Sequence, residues 1–268
     1  MRLNRRQWLA AAAGAGGLCA SRLHAAGGLF HATSINHLAL TVPDVKRAAE
    51  FYARVLGMRV ISDKGERGRM LGLQRNYFAL FKGDEPGLNH FSPGVDGLDE
   101  AAVGAVLKKH GYEPFERAPN IWACLDPDGN QNHLSETMRR EDEVSEAYRR
   151  DPHPDSILHA VDVNHLALRV SDVQRSVDWY QKLMGLSVLR PGATSSFLGL
   201  GDNFLALFQR RGGGGADHFC FSIEDYEPDS VTAKLAKEGI AATRRENRIY
   251  FKDLDGLTVQ VSAESHQP

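Results

Sequence analysis

The pentapeptide NHLAL occurs twice, at residues 36–40 and 164–168, and so places a histidine at position 37 and another at 165. Both segments alternate like strands, in which successive residues face opposite sides. Leu38, Leu40 and Val42 form one apolar face and leave His37, Ala39 and Thr41 on the other. The same parity sets Leu166, Leu168 and Val170 against His165, Ala167 and Arg169. Further along, Phe219, Phe221 and Ile223 oppose His218, Cys220 and Ser222, and His90 holds the place of His218 in the first half. On the last strands Leu257, Val259 and Val261 oppose Thr258, Gln260 and Ser262, whose counterparts are Gln131, His133 and Ser135. A face turned simply to solvent would carry lysine, glutamate and threonine. This one carries small residues and imidazoles, as the wall of a concave ligand pocket does. Tyr77, Trp122, Arg169 and Tyr250 are the further side chains expected to line it.

The histidines recur because the chain repeats. Shifted by about 128 residues, NHLALTVPDVKRAAEFYARVLGM lies over NHLALRVSDVQRSVDWYQKLMGL, LGLQRNYFALF over LGLGDNFLALF, and CLDPDGNQNHLSE over FKDLDGLTVQVSA. Two domains of one fold are expected, at 33–137 and 161–264, joined by a charged linker at 138–160 that is helical up to Arg150. In the first repeat a strand at 35–42 leads to Asp44, which suits an N-cap. Val45, Ala48, Phe51, Tyr52, Val55 and Leu56 follow at helical spacing, and Gly57 supplies the stop. Strands are expected near 59–62 and 77–81. A second strand–helix–strand run begins at His90, with a helix near 99–110 and strands near 121–125 and 131–135. Each domain is thus two βαβββ modules, an α+β architecture of curved sheets.

The first 26 residues are set aside from the fold. Arg2, Arg5 and Arg6 precede a short apolar run from Trp8 to Ala20 and small residues at Ala25 and Ala26, the layout of an export signal peptide. The Arg5–Arg6 pair is similar to the twin-arginine motif, which implies passage through the export machinery and a periplasmic or secreted protein. Thirteen apolar residues fall short of the ~20 a membrane span needs, so no permanent anchor is expected. Losing this segment removes four arginines and no acid, which takes the formal charge from −2 to −6. Such a surface is not one for nucleic acid or anionic membrane. Cys124 and Cys220 sit in apolar runs and read as buried free thiols.

The paired βαβββ modules, the repeated NHLAL–Asp–helix–Tyr–Leu–Gly pattern and the Asp126-Pro127-Asp128-Gly129 turn resemble the vicinal-oxygen-chelate superfamily. It holds glyoxalase I, extradiol dioxygenases, methylmalonyl-CoA epimerase and the fosfomycin- and bleomycin-resistance proteins. The resemblance spans both domains. It implies metal ligands at His37, His90 and His133 in the first domain, and a second set at His165, His218 and Gln260. The position used by glutamate in glyoxalases falls near Ala79 and Ala206, which cannot ligate. A lone strand histidine is ordinarily packed or solvated, whereas three at ligand positions point to a metal centre with room for water or a chelating substrate. Contiguous pairing of modules would join His37, His90 and His133; exchanged pairing would join His90 and His133 to His165. The long linker between complete domains favours the contiguous form.

The resemblance implies a divalent metal, with Fe2+ favoured and Zn2+, Mn2+, Ni2+ or Cu2+ admitted by histidine-only ligation. Occupancy is expected to fall as pH drops through roughly 6.5, the ordinary histidine value. The reading taken is an extradiol-dioxygenase-like enzyme acting on a small aromatic or enolic, oxygen-chelating substrate, as a monomer or homodimer. The extradiol motif is damaged in both domains: Leu254 replaces its proline and Gln260 its glutamate, while Ala123 replaces its tyrosine and His133 its glutamate. Glyoxalase- or epimerase-like chemistry and metal-free sequestration of a small molecule are the alternatives, and the sequence assigns no catalytic base.

Overall fold

A computed structural model describes residues 27–137 and 155–268. The export-signal reading of 1–26 and the linker-helix reading up to Arg150 lie outside the described residues. The first half runs β1 (Ala32–Val42), α1 (Val45–Leu56), β2 (Arg59–Asp63), β3 (Gly68–Gly72), β4 (Tyr77–Lys82), β5 (Gly87–Val95), α2 (Val103–Lys109), β6 (Phe115–Ala118), β7 (Ile121–Leu125), β8 (Gln131–His133) and β9 (Ser135–Glu136). The second half repeats it as β10 (Ala160–Val170), α3 (Val173–Met184), β11 (Ser187–Arg190), β12 (Ser195–Leu200), β13 (Asn203–Gln209), β14 (Ala216–Ile223), α4 (Pro228–Lys237), β15 (Ala242–Arg245), β16 (Arg248–Lys252) and β17 (Thr258–Ala263). The helix expected at 99–110 is shorter than its apolar pattern suggested, because 99–102 form turns before Val103.

Each half folds into its own sheet. The orders are β2-β3-β4-β1-β5-β8-β7-β6, with β9 also on β5, and β11-β12-β13-β10-β14-β17-β16-β15. Modules therefore pair contiguously: β1 lies antiparallel to β5, and β10 to β14. These central strands are bent by β-bulges, at which one residue has no opposite number. Register slips at Asn36 between Ile35↔Pro93 and His37↔Ser92, and at Asn89 between Ala39↔His90 and Leu40↔Leu88. The second sheet slips at Asn164 and Asp217 in the same way.

Helix α1 starts where Asp44 accepts from the Arg47 amide at 3.0 Å and ends at Gly57, whose φ of 72° suits glycine. Its last-turn carbonyls are capped by the other half: Leu158 N donates to Val55 O and Ile157 N to Arg54 O. Reciprocally, Leu29 N and Phe30 N donate to Lys182 O and Leu183 O of α3. The helix-covered faces of the two sheets share one core, in which Phe78 packs on Phe219 and Phe221. Two tyrosines cross it. Tyr52 donates to Asp253 Oδ2 at 2.7 Å, and Tyr180 donates to Asp126 Oδ2 at 2.9 Å. The Asp-Pro-Asp-Gly turn thus serves as half of an interdomain latch. Cys124 and Cys220 are buried and unpaired, as expected.

Candidate metal centre

With their helix faces joined, the sheets turn their other faces outward, and the histidines lie there. In the first domain three neighbouring strands each supply one: β1 His37, β5 His90 and β8 His133. All three are buried, and one ring nitrogen of each lies within 4.8 Å of the others, a convergence of three metal-ligating side chains. The His90 and His133 rings stack with centroids 3.8 Å apart, and His37 stands edge-on to His90 at 5.0 Å.

The bulges explain how the rings are aimed. Adjacent strand residues normally face opposite sides, but a bulge lets the extra residue turn toward its neighbour. Asn36 Oδ1 lies 2.7 Å from His37 Nδ1, while Asn36 Nδ2 donates to the Glu136 carbonyl and so fixes the amide's orientation. Asn89 Oδ1 lies 2.8 Å from His90 Nδ1, with Asn89 Nδ2 directed at Thr41 Oγ1. Each Nδ1 is therefore the protonated nitrogen, and each Nε2 presents its lone pair inward. The two Nε2 atoms are 2.8 Å apart. Two facing lone pairs at that separation repel unless a proton or a metal ion sits between them, and in this domain a third imidazole converges on the same point. His133 is held differently, with Gln131 Nε2 2.7 Å from its Nε2.

Protons compete poorly for these nitrogens. Burial, then the neighbouring His133, lowers His37 to about 3. Burial, then Arg117, lowers His133 to about 4, and His90 is pushed down further by burial, both other histidines and Arg117. Neutral imidazoles are the ligating form, so proton competition begins well below the 6.5 expected from the free side chain. The donor set fits a divalent metal of borderline softness.

These rings open onto a cavity of about 630 Å³ with Ile61, Met70 and Phe81 on its walls and Lys64, Glu100 and Arg117 around it. Tyr77 stacks on His37 at 4.4 Å, and burial together with Glu100 keeps its phenol protonated. Of the other expected pocket residues, Tyr250 lines the second domain's cavity. Trp122 does not line the first. Ala123 is the residue of β7 that pairs with His133, so Trp122 faces the helix side, where its Cε2 would lie 2.5 Å from any Cβ at Gly104. Arg169 shares the face of His165, but its Nε donates to Gly214 O at 3.0 Å and it lines neither cavity.

In the second domain His165, His218 and Gln260 share a cavity of about 520 Å³. The histidine Nε2 atoms are 3.2 Å apart, and Nδ1 bonds to Asn164 Oδ1 and Asp217 Oδ1 repeat the bulge device. Gln260 stands where β8 has His133. His266, absent from the expected set, lies 5.7 Å from His165 beyond the last strand. Among the described residues only the first domain's histidines form a convergent triad. A legible signal went unused: asparagine precedes His37, His90, His133 and His165.

A family model described as Glyoxalase/Bleomycin resistance protein/Dioxygenase superfamily matches residues 34–150 and again 162–261. Curated relatives include metallothiol transferase FosB of Staphylococcus epidermidis, 26% identical over 116 residues, 38% of this chain and 84% of that protein. Glutathione transferase FosA of Serratia marcescens is 28% identical over 116 residues, 38% of this chain and 81% of its own. Among solved structures, the 2,3-dioxygenase LapB from Pseudomonas sp. KL28 has a TM-score of 0.73 at 15% identity, covering 90% of this chain and 95% of that one. Homoprotocatechuate 2,3-dioxygenase from Brevibacterium fuscum, in complex with 3,4-dihydroxyphenylacetate, has a TM-score of 0.71 at 16% identity, covering 88% and 82%. At such identities the likeness is one of fold.

Proposed function

Because the chain belongs to the Glyoxalase/Bleomycin resistance protein/Dioxygenase superfamily, we propose that its first domain is a metal-dependent enzyme centre of extradiol-dioxygenase type. Its substrate is a small aromatic or enolic molecule that chelates through oxygen. The observation that carries this reading is the convergence of His37, His90 and His133 on one cavity. A divalent ion bound there, Fe2+ in the favoured case, supplies Lewis acidity to substrate oxygens and, as iron, one-electron chemistry.

The chain's own residues do the rest. Three uncharged imidazoles leave the ion its full charge, which favours anionic oxygen ligands. Arg117 adds positive charge at the cavity, and the protonated Tyr77 hydroxyl is a donor beside His37 for a substrate oxygen. Ile61, Met70 and Phe81 give an aromatic ring an apolar surface that excludes water. Reconstitution with Fe2+ and a panel of catechols and enols tests the reading. Oxygen uptake that depends on metal and is lost in His133→Ala supports it; no uptake from a metal-loaded chain sinks it.

The FosB and FosA relatives favour a second reading, transfer of a thiol at the same centre. Metal-dependent thiol consumption without oxygen uptake would select it. Export rests on Arg5–Arg6 and the short apolar run after them. A mature N-terminus between Ala25 and Phe30 on material outside the cytoplasm supports it, and an intact Met1 on a purely cytoplasmic chain refutes it.

A further inference from the structure

We propose that the second domain's cavity is a metal-free binding site for a small aromatic carboxylate. Three features of that cavity converge on this ligand: its charge, a buried donor and its walls.

The cavity and the cleft beside it share Phe208, His218, Arg248 and Tyr250. Arg190, Arg210, Arg245, Arg248 and Lys252 line the pair, against the acids Asp217 and Glu246. Asp217 is already engaged, accepting from Arg210 and from His218 Nδ1. Glu246 reaches Arg248 from an exposed position. Arg190 stacks on Phe197 at 4.2 Å and Arg245 on Tyr250 at 5.4 Å, and neither has a carboxylate partner among the described residues. In a chain whose formal charge is −2, this concentration of guanidinium is local. It repels a dication and attracts an anion.

Gln260 is 1% exposed and lines the cavity beside the Cys220 thiol, and its Nε2 makes no hydrogen bond of normal geometry. A thiol is a weak acceptor for that buried N–H, so its natural complement is a stronger acceptor brought by a ligand. At this position β8 carries a histidine whose nitrogen suits a cation; an amide N–H suits an oxyanion. Phe197, Phe204 and Phe208 form the rest of the wall and match a flat ring. A planar carboxylate in turn matches the planar fork of arginine.

The probes are benzoate and phenylphosphonate, titrated calorimetrically into the full chain before and after chelation. One saturable site that persists after chelation is expected, with benzamide at least about tenfold weaker than benzoate. Arg248→Met, at a partly exposed position, should weaken benzoate about tenfold. Gln260→Glu, nearly isosteric, should abolish binding by placing a carboxylate against the ligand's own. The proposal fails if neither anion binds up to roughly 10 mM, the range of very weak ligands. It also fails if chelation removes binding, if Arg248→Met and Gln260→Glu bind like the native chain, or if the native chain holds a second equivalent of metal.

Discussion

The two sheets carry the same device at the same place and then diverge around it. In each, a bulge on either central strand turns an Asn or Asp side chain back onto the Nδ1 of the following histidine, so that two Nε2 atoms meet 2.8 Å apart in the first domain and 3.2 Å apart in the second. The pair is therefore a property of the strand pairing. What differs lies on the adjoining strand and at the cavity rim. The first domain adds a third imidazole, His133, within a cavity of mixed charge. The second adds an amide, Gln260, within a cavity that carries Arg190 and Arg248 and adjoins a cleft carrying Arg210 and Arg245. Repeated geometry supplies aimed nitrogens, and the residues around them decide between a cation and an anion as guest.

The sharpest way to break this comparison is to remove the third donor. His133→Ala and His90→Ala should each weaken metal binding by at least about 100-fold, since even outer-sphere losses cost 10–100-fold. Metal content of the native chain should be close to one equivalent by elemental analysis, and His218→Ala should leave it there. Full occupancy in His133→Ala, or loss in His218→Ala, would reverse the assignment of the two domains. A gentler cut tests the bulges. Asn36→Ala or Asn89→Ala removes the acceptor that fixes a ligand ring and should weaken metal about 10- to 100-fold, whereas Asn164→Ala should not alter metal content.

Acid offers a third test. His37 and His133 are held at about 3 and 4 by burial, below the ordinary 6.5. Between those values the unfolded chain binds more protons than the folded one, so folding stability rises with pH across that window. The contribution is fully present above about 6.5 and is lost as pH falls toward 4. Urea midpoints of metal-free protein should fall over this interval, and His133→Ala should flatten the slope. An unchanged slope would mean that these rings titrate as free imidazoles do.

Strand alternation explains why much of the candidate site was legible in the sequence. Leu38, Leu40 and Val42 announced the packed face, and the face of His37 followed from parity. The bulges were not legible, because a single unpaired residue leaves the local apolar pattern almost unchanged. Hence Asn36 and Asn89, which parity would turn away from the histidines, went unread as their partners. Trp122 was misplaced because its strand's two faces differ little in polarity; the partner that settles its side is Gly104 on α2, distant in sequence. Arg169 had the right face, but a guanidinium reaches far enough to leave a cavity and bind Gly214 O. His266 sits past the last strand, where no periodicity extends.

The smallest expected effect concerns the latch that joins the halves, and it too separates them. Tyr52→Phe and Tyr180→Phe each remove a hydroxyl from a buried carboxylate, at a cost of about 1–3 kcal/mol. The carboxylates are not equally provided for. Asp126 Oδ2 also accepts from Asn130 Nδ2 at 2.8 Å, while Tyr52 is the donor found for Asp253 Oδ2. On each, Oδ1 is held by two turn amides. Tyr180→Phe therefore leaves a partly satisfied group, and Tyr52→Phe leaves an oxygen with no replacement close by. The larger fall in thermal midpoint should follow Tyr52→Phe, by a few degrees at most. Asp253→Asn should recover part of it in the double variant, because a neutral amide needs that hydroxyl less than a carboxylate does. Equal losses, or the larger loss from Tyr180→Phe, would show that Asn130 carries none of the load at Asp126.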